Sequence, residues 1–309
     1  MNLEQLRGFV AVADIGHFTR AAETLRVAQP SLSRQIATLE QEVGSELFHR
    51  ARGNITLTSA GETLLPRARR MLADADAIRV EMGEIAGLQR GRVRLGATPT
   101  LCVSLVAEAM TAFHPAHPGI GLQLTEAGSR LLIERLTAGE LDMALITLSE
   151  GLPAGETALV RTPLLTEELV VVSAATAPPI SESAIDIALL ATLPLVAFAQ
   201  SYDLRAATDA AFRSAGLAPT VVIEGAEMDA VLRFVERGLG VAVVPATVLV
   251  DRPTLRAVRL IEPRLTRTIS IAHRSDVNPT RAAEAMRELI IATAAGLAEA
   301  SPETLRLVR

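Results

Sequence analysis

Apolar residues recur along residues 32 to 43 with the period of a helix. Leu32, Ile36, Leu39 and Val43 are spaced by four, three and four positions and so share one face. Ser31, Arg34, Thr38 and Gln41 take the opposite, polar face. A shorter pattern before it, Arg20 to Leu25, predicts a second helix with Thr19 as N-cap and Ala21, Ala22 and Leu25 as packing residues. The small alanines allow the two helices to approach closely. After Gly44 the run ELFHRARGNITLT reads as a strand, a Gly53-Asn54 turn and a second strand. Residues 18 to 58 therefore predict a compact helix-turn-helix followed by a wing.

From Ser59 to Leu88 one long helical pattern continues. Leu64, Met71, Ile78 and Ile85 recur every seven residues, with Ala68, Ala75 and Met82 at the companion position. This is a heptad seam, and its expected partner is a second copy of the same helix. Pro66 inside the pattern is expected to bend the helix or loosen one hydrogen bond. From Arg92 onward the pattern changes again. RVRLGAT, GLQLTEA, DMALIT, ELVVVS, LPLVAF, TVVIEG, GVAVVP and TISIAH read as strands, with helical patterns between most of them, which predicts an α/β domain.

At 309 residues and 49% hydrophobic, the chain can bury a sizeable core and is long enough for two or three domains. No apolar run approaches the ~18 residues of a membrane span, so no membrane partner is expected. Glu4, Arg7 and Asp14 punctuate the first helix, which fits neither a signal nor a transit peptide and leaves the cytoplasm as the expected location. Cys102 is the single cysteine; it excludes an intrachain disulfide framework and a multi-cysteine zinc site, and it reads as a small buried hydrophobe. Charge is divided unevenly: residues 1 to 94 carry net +2 and residues 95 to 309 net −7, which favours nucleic acid at the N-terminal end only. All 30 basic residues are arginine. Without lysine, a pyridoxal phosphate Schiff base and a P-loop are both excluded.

A helix pair of this kind suits DNA, because its second helix can enter the major groove while the first crosses the backbone. Gln29 can pair bidentately with adenine and Arg34 with guanine, each contact giving about 1–3 kcal/mol of base discrimination. Thr19, Ser31, Ser33 and Thr38 offer further hydroxyls to bases or phosphates. Pro30 costs the helix little in its first turn, and Arg50 and Arg52 lie near the wing turn where a phosphate can sit. Enzymatic signals are weak. Gly238-Leu239-Gly240 follows a helix and precedes a strand, the reverse of a dinucleotide loop. His114 and His117 border prolines in a predicted helix-to-strand loop with no further metal ligand, and no nucleophile elbow occurs. No catalytic residue, metal or cofactor is expected.

The N-terminal run resembles the DNA-binding domain of LysR-type transcriptional regulators in FTRAA, QPSLSRQI, LEQEVG, LFHR and LTSAG, in order and nearly without gaps. One departure is Ala28, where many members place a Ser or Thr able to cap the recognition helix; a cost of about 1 kcal/mol is expected if nothing replaces it. The resemblance implies a winged helix-turn-helix at 1–58, a dimerising linker helix at 59–88 and an effector-binding domain at 89–309. That domain would be like a periplasmic binding protein, with lobe one at about 92–162 and 268–309 and lobe two at about 163–267. The runs at 126 to 146 and 237 to 245 carry this part of the resemblance.

Ligands of open α/β sheets sit beyond the carboxyl ends of strands. Here those ends hold Thr98-Pro99-Thr100, Gly128-Ser129, Thr147 and Ala199-Gln200-Ser201, and Thr98, Thr100, Ser129 and Ser201 are, by resemblance, effector-contacting positions, Thr100 and Ser129 foremost. Phe198 and Tyr202 are the aromatic candidates near this cleft. Family members that sense aromatic-degradation acids carry Arg where this chain has Thr147, so Arg130 or Arg205 would have to supply a cation. The expectation is a dimer, and by resemblance a tetramer, that binds double-stranded promoter DNA and responds to an anionic small molecule. The alternatives are a ligand-independent architectural DNA-binding protein and a solute-binding module.

Overall fold

The structure, a computed structural model, describes residues 1–51, 54–85, 91–148, 159–200, 202–249, 252–301 and 303–308. Backbone contacts divide it into two compact units, 1–91 with 134–142, and 92–133 with 143–309.

In the first unit, α1 (Leu3–Ile15) opens with a capping box: the Gln5 amide donates to the Asn2 side chain and the Asn2 amide to that of Gln5. It stops at Gly16, whose φ of +69° is a left-handed cap that glycine adopts without strain. Residue His17 is extended, and its ring Nδ1 accepts from the Thr19 amide at 3.2 Å. The N-cap of α2 (Phe18–Leu25) is therefore His17, and Thr19 lies inside the helix, because the chain leaving Gly16 brings the imidazole over the first turn. Three residues, led by Arg26 in the left-handed region at φ 56°, turn the chain into α3 (Gln29–Val43). Leu32, Ile36 and Leu39 of α3 are fully buried, whereas Val43 at the end of the stripe is 39% exposed. Helices α1 and α3 touch at Gly8, where a Cβ would meet Leu32 Cδ1 at 2.7 Å.

The wing is an antiparallel hairpin, β1 (Phe48–Ala51) with β2 (Asn54–Leu57). Asn54 is opposite Ala51 and belongs to the second strand, not to the turn as the Gly-Asn pair suggests. Arg52 and Gly53 lie outside the described residues. Thr58 then anchors α4 (Ser59–Ile85): its hydroxyl donates to the Glu46 carbonyl at 2.7 Å and accepts from the Gly61 amide at 3.1 Å. Only glycine fits at position 61, since a Cβ would meet the Leu47 carbonyl oxygen at 2.3 Å. Helix α4 runs through Pro66 as one element. Positions 86 to 88 of the predicted helix lie outside the described residues.

The second unit is built on two long neighbouring strands, β6 (Leu159–Ala174) and β12 (Thr266–Arg274), paired antiparallel from Glu168 opposite Thr266 to Leu159 opposite Arg274. The first half of β6 belongs to a sheet that continues through β12, β5 (Met143–Leu148), β3 (Gly91–Ala97) and β4 (Ile120–Glu126), with β13 (Leu305–Leu307) also on β6. Its second half pairs with β10 (Ala242–Pro245) and β11 (Leu255–Leu260), and β7 (Ala184–Ile185) extends that sheet. A parallel pair, β8 (Pro194–Phe198) and β9 (Thr220–Ala226), lies beside it. One strand thus serves two cores. Leu164 and Leu165 pack with Leu95, Leu145, Ile271 and Ile290, while Leu169 to Val172 pack with Phe198, Phe212, Leu232 and Val258.

Helices cover these sheets. α5 (Pro99–Leu101) passes through a π-helical turn, Cys102–Val106, into α6 (Ala107–Ala116), and α7 (Ser129–Thr137) and α11 (Arg281–Ala300) complete the first lobe. α8 (Ile187–Ala191), α9 (Asp203–Ser214) and α10 (Met228–Glu236) belong to the second. Because α6 extends to Ala116, His114 is a helical residue, not a loop residue. Among the described residues no helix is long and apolar enough to cross a membrane.

Candidate functional sites

The outer face of α3 collects the residues singled out for DNA contact. Gln29, Pro30, Arg34 and Thr38 are exposed, and Ser31 and Ser33 are half-buried. Gln29, Ser33, Arg34 and Thr38 are held in place along the helix. Gln29 Nε2 donates to Ser33 Oγ at 2.8 Å, Arg34 Nε to the Pro30 carbonyl at 3.3 Å, and the Thr38 hydroxyl to the Arg34 carbonyl at 2.9 Å. These are local i to i+4 bonds that DNA can displace at little cost, leaving an ordered polar surface in their place. The start of α3 has no side-chain cap, as Ala28 foretells. Thr19 is exposed on α2 beside this face. The Arg50 side chain and all of Arg52 lie outside the described residues.

Along α4 the heptad seam divides into two parts. Ala68 is fully buried and Leu64 partly buried against the core of the first unit, with Leu65 and Leu72 beside them. Farther on, Met71, Ile78 and Met82 are 42%, 58% and 55% exposed, and Ala75 is half-buried. The proximal seam is thus occupied by its own domain, while the distal seam presents large apolar side chains to solvent. The Ile85 side chain lies outside the described residues.

In the second unit a cavity of about 250 Å³ opens between the lobes, lined by Thr98, Pro99, Thr100, Gly128, Thr147, Tyr202, Leu204, Glu227 and Arg267. Four of the residues expected from the sequence meet there: Thr98, Pro99, Thr100 and Thr147. The hydroxyls of Thr98 and Thr100 are buried with no hydrogen-bond partner among the described residues. An orphaned buried hydroxyl costs about 1–3 kcal/mol, so two at one cavity mark a place built for a polar ligand. Ser129 differs. Its hydroxyl donates to the Thr147 carbonyl and accepts from the Thr147 amide, both at 3.1 Å, tying the start of α7 to β5. Phe198 is buried and stacked on Tyr202 at 5.2 Å, behind the cavity wall. Ser201 lies outside the described residues.

The cation of the site is one that sequence reasoning did not single out. Arg205 is engaged by Asp209 at 2.8 Å, Glu224 at 3.2 Å and the Phe198 carbonyl at 3.0 Å. Arg267, on β12, reaches the cavity instead. Its Nε donates to Glu167 Oε2 at 2.8 Å; its Nη2 also lies 2.8 Å from that oxygen but without hydrogen-bond alignment, and so keeps donors without an acceptor among the described residues. Glu167, fully buried, accepts in addition from the Thr247 amide at 2.8 Å. The only signal in the sequence was a charged pair 100 residues apart, each one residue ahead of a predicted strand, invisible until the register is known.

A carboxylate of the second lobe also lines the cavity. Glu227, exposed ahead of α10, is hydrogen-bonded by the Tyr202 hydroxyl. Burial, and then this carboxylate, hold the Tyr202 phenol well above its ordinary range. Burial, and then Glu126 at the end of β4, push the Cys102 thiol up to about 12. Among the described residues no cluster of His, Cys, Asp and Glu can hold a metal ion.

Residues 3–62 match the family described as "Bacterial regulatory helix-turn-helix protein, lysR family", and residues 86–295 match the "LysR substrate binding domain". An HTH-type transcriptional regulator of Bacillus subtilis, YybE, is 32% identical over 88% of this chain and 92% of its own length. The regulator IlvR of Caulobacter vibrioides is 33% identical over 91% and 95%. Among solved structures, a full-length OxyR variant from Pseudomonas aeruginosa superposes with a TM-score of 0.73 at 30% identity, covering 94% of each chain.

Proposed function

The chain belongs to the LysR family of bacterial transcriptional regulators, and from that premise we propose which of its residues read DNA and which receive the effector. It is a DNA-binding regulator with an effector-binding domain. The face of α3 enters the major groove, with Arg34 and Gln29 on base edges and Ser31, Ser33, Thr38 and Thr19 on bases or phosphates. The distal seam of α4, Met71, Ile78 and Met82, pairs with a second copy, since three large apolar side chains in a heptad register are what such an interface requires. A dimer arranged in this way demands two half-sites on the duplex.

The effector occupies the cavity between the lobes. The observation that carries this reading is the set of buried donor atoms with no hydrogen-bond partner among the described residues, the Thr98 and Thr100 hydroxyls and Arg267 Nη2, on residues that line one cavity. Binding there favours one placement of the lobes over another, and that differential affinity is what shifts the regulator between states. The architectural alternative leaves these unsatisfied groups without a purpose.

The test is to retain fragments of the source genome on the purified protein and sequence them, with Arg34→Ala in parallel. Enrichment of a few inverted-repeat sites, lost in the variant, is the expected result. Diffuse, salt-sensitive retention that the variant leaves unaltered would overturn specific readout by α3.

A further inference from the structure

The sequence points to an anionic effector, but the charges around the cavity do not favour a plain anion. Among the described residues Arg267 is the one guanidinium that lines it, and the fully buried Glu167 already balances that charge at 2.8 Å. Arg205 is likewise neutralised by Asp209 and Glu224. What remains uncompensated is negative. Glu227 lines the cavity from the second lobe, and its hydrogen bond from Tyr202 leaves the full charge in place. A dicarboxylate entering here would find its donors at one end only and a repelling carboxylate at the other.

The polarity of the cavity is therefore divided. At one end lie three donors, the Thr98 and Thr100 hydroxyls and the Arg267 guanidinium, all more than nine-tenths buried and with unused hydrogen-bonding capacity. At the other lies the Glu227 carboxylate, and Leu204 and Tyr202 supply apolar surface. Its volume, about 250 Å³, falls below the ~300–1,000 Å³ typical of sites for drug-sized ligands, so the occupant is a small metabolite.

We propose that the effector is an α-amino acid, its carboxylate bound by Arg267, Thr98 and Thr100 and its ammonium by Glu227. This rests on the reading of the cavity as the effector site and narrows it to one chemical class. Arg267 keeps Glu167 as its partner and gives the ligand only its unused donors, so no buried charge is left alone. The ammonium answers the Glu227 carboxylate. Since Glu227 belongs to the second lobe and Thr98 and Thr100 to the first, a ligand that bridges them favours the arrangement in which the lobes approach.

Calorimetric titration of the full-length protein decides the matter, using the twenty L-amino acids, the α-keto acids of the same skeletons and the corresponding decarboxylated amines. At least one amino acid is expected to bind, with its keto acid and its amine each at least tenfold weaker. Glu227→Gln, at an exposed position, should weaken that amino acid at least tenfold, and so should Thr100→Val. If keto acids bind as tightly as amino acids, or Glu227→Gln leaves affinity unchanged, or none of the three sets binds, the assignment to amino acids is overturned. Loss of keto-acid binding in Thr100→Val would then still uphold the cavity as the effector site. Amino-acid binding indifferent to both substitutions would overturn the class and the cavity together.

Discussion

Arg267 and Glu167 face each other in register across β12 and β6, where the chain passes from one hydrophobic core to the other, and the guanidinium Nε meets the carboxylate at 2.8 Å. The pair is 7% and 0% exposed. One residue thus joins the strands that connect the lobes and lines the cavity between them.

Breaking this pair should be costly. Arg267→Met leaves Glu167 buried without its counter-charge, an effect of about 3–5 kcal/mol. Glu167→Gln paired with Arg267→Met should recover most of that loss, because no unpaired charge then remains. Urea unfolding of the four proteins in the cycle measures both; an Arg267→Met variant as stable as the parent would show that the cavity end of β12 is solvated.

Thr98→Val and Thr100→Val should act in opposite directions on stability and ligand response. Each removes a buried hydroxyl that has no partner among the described residues, which stabilises the ligand-free protein by up to about 1 kcal/mol. Thermal melting without ligand should therefore move upward while effector affinity falls. A drop in melting temperature would indicate that the hydroxyls are satisfied in solution.

The recognition helix offers two independent measurements. Arg34→Ala should lower discrimination at one base pair by about 1–3 kcal/mol, roughly 5- to 150-fold, read from binding to a set of single-base operator variants. Ala28→Ser supplies the cap that α3 lacks and should add about 1 kcal/mol of local stability. Hydrogen exchange in the first turn of α3 reports the change.

Ile78→Glu together with Met82→Glu places two charges on the distal seam of α4. Neither residue contributes to the core clusters of its own chain, so the monomer should fold while self-association weakens. Sedimentation equilibrium distinguishes a dissociated protein from an unaffected dimer, and the latter would locate the interface elsewhere.

Cys102 should be slow to react. Its folded pKa is raised, by burial first, to about 12, so the thiolate is scarce at neutral pH. Iodoacetamide at pH 8 should modify it far more slowly than a free cysteine, and only unfolding should restore the normal rate. The sign of the linkage follows. A raised folded pKa stabilises the protein fully below the unfolded value near 9, and that contribution is lost as pH rises from there through about 12. Stability of Cys102→Ala should show less loss over this window.

The elements that could be read from sequence were those with a local cause. The four-three-four spacing of α3, the sevenfold repeat of α4 and apolar runs such as Leu169 to Val172 each reflect burial on a face set by backbone period. The elements that escaped notice lacked it. The first half of β6 is half-exposed or exposed except at Leu164 and Leu165, with Pro163 among its residues, and β7, β11 and β13 are short or carry arginines. Their pairing is decided by strands distant in the chain, not by their own pattern.

The candidate sites follow the same division. By itself, the sequence determined that Gln29, Ser33, Arg34 and Thr38 share the outer face of α3, because a helix places them by its period alone, and it determined that Thr98 and Thr100 stand at a strand end. Only the tertiary structure decided that Ser129 is spent on Thr147, that Asn54 belongs to the second wing strand, and that Arg267 rather than Arg205 faces the cavity. Each of these depends on which side chain finds a partner across the fold. A buried polar group is committed or left available by residues tens of positions away, and no local pattern carries that information.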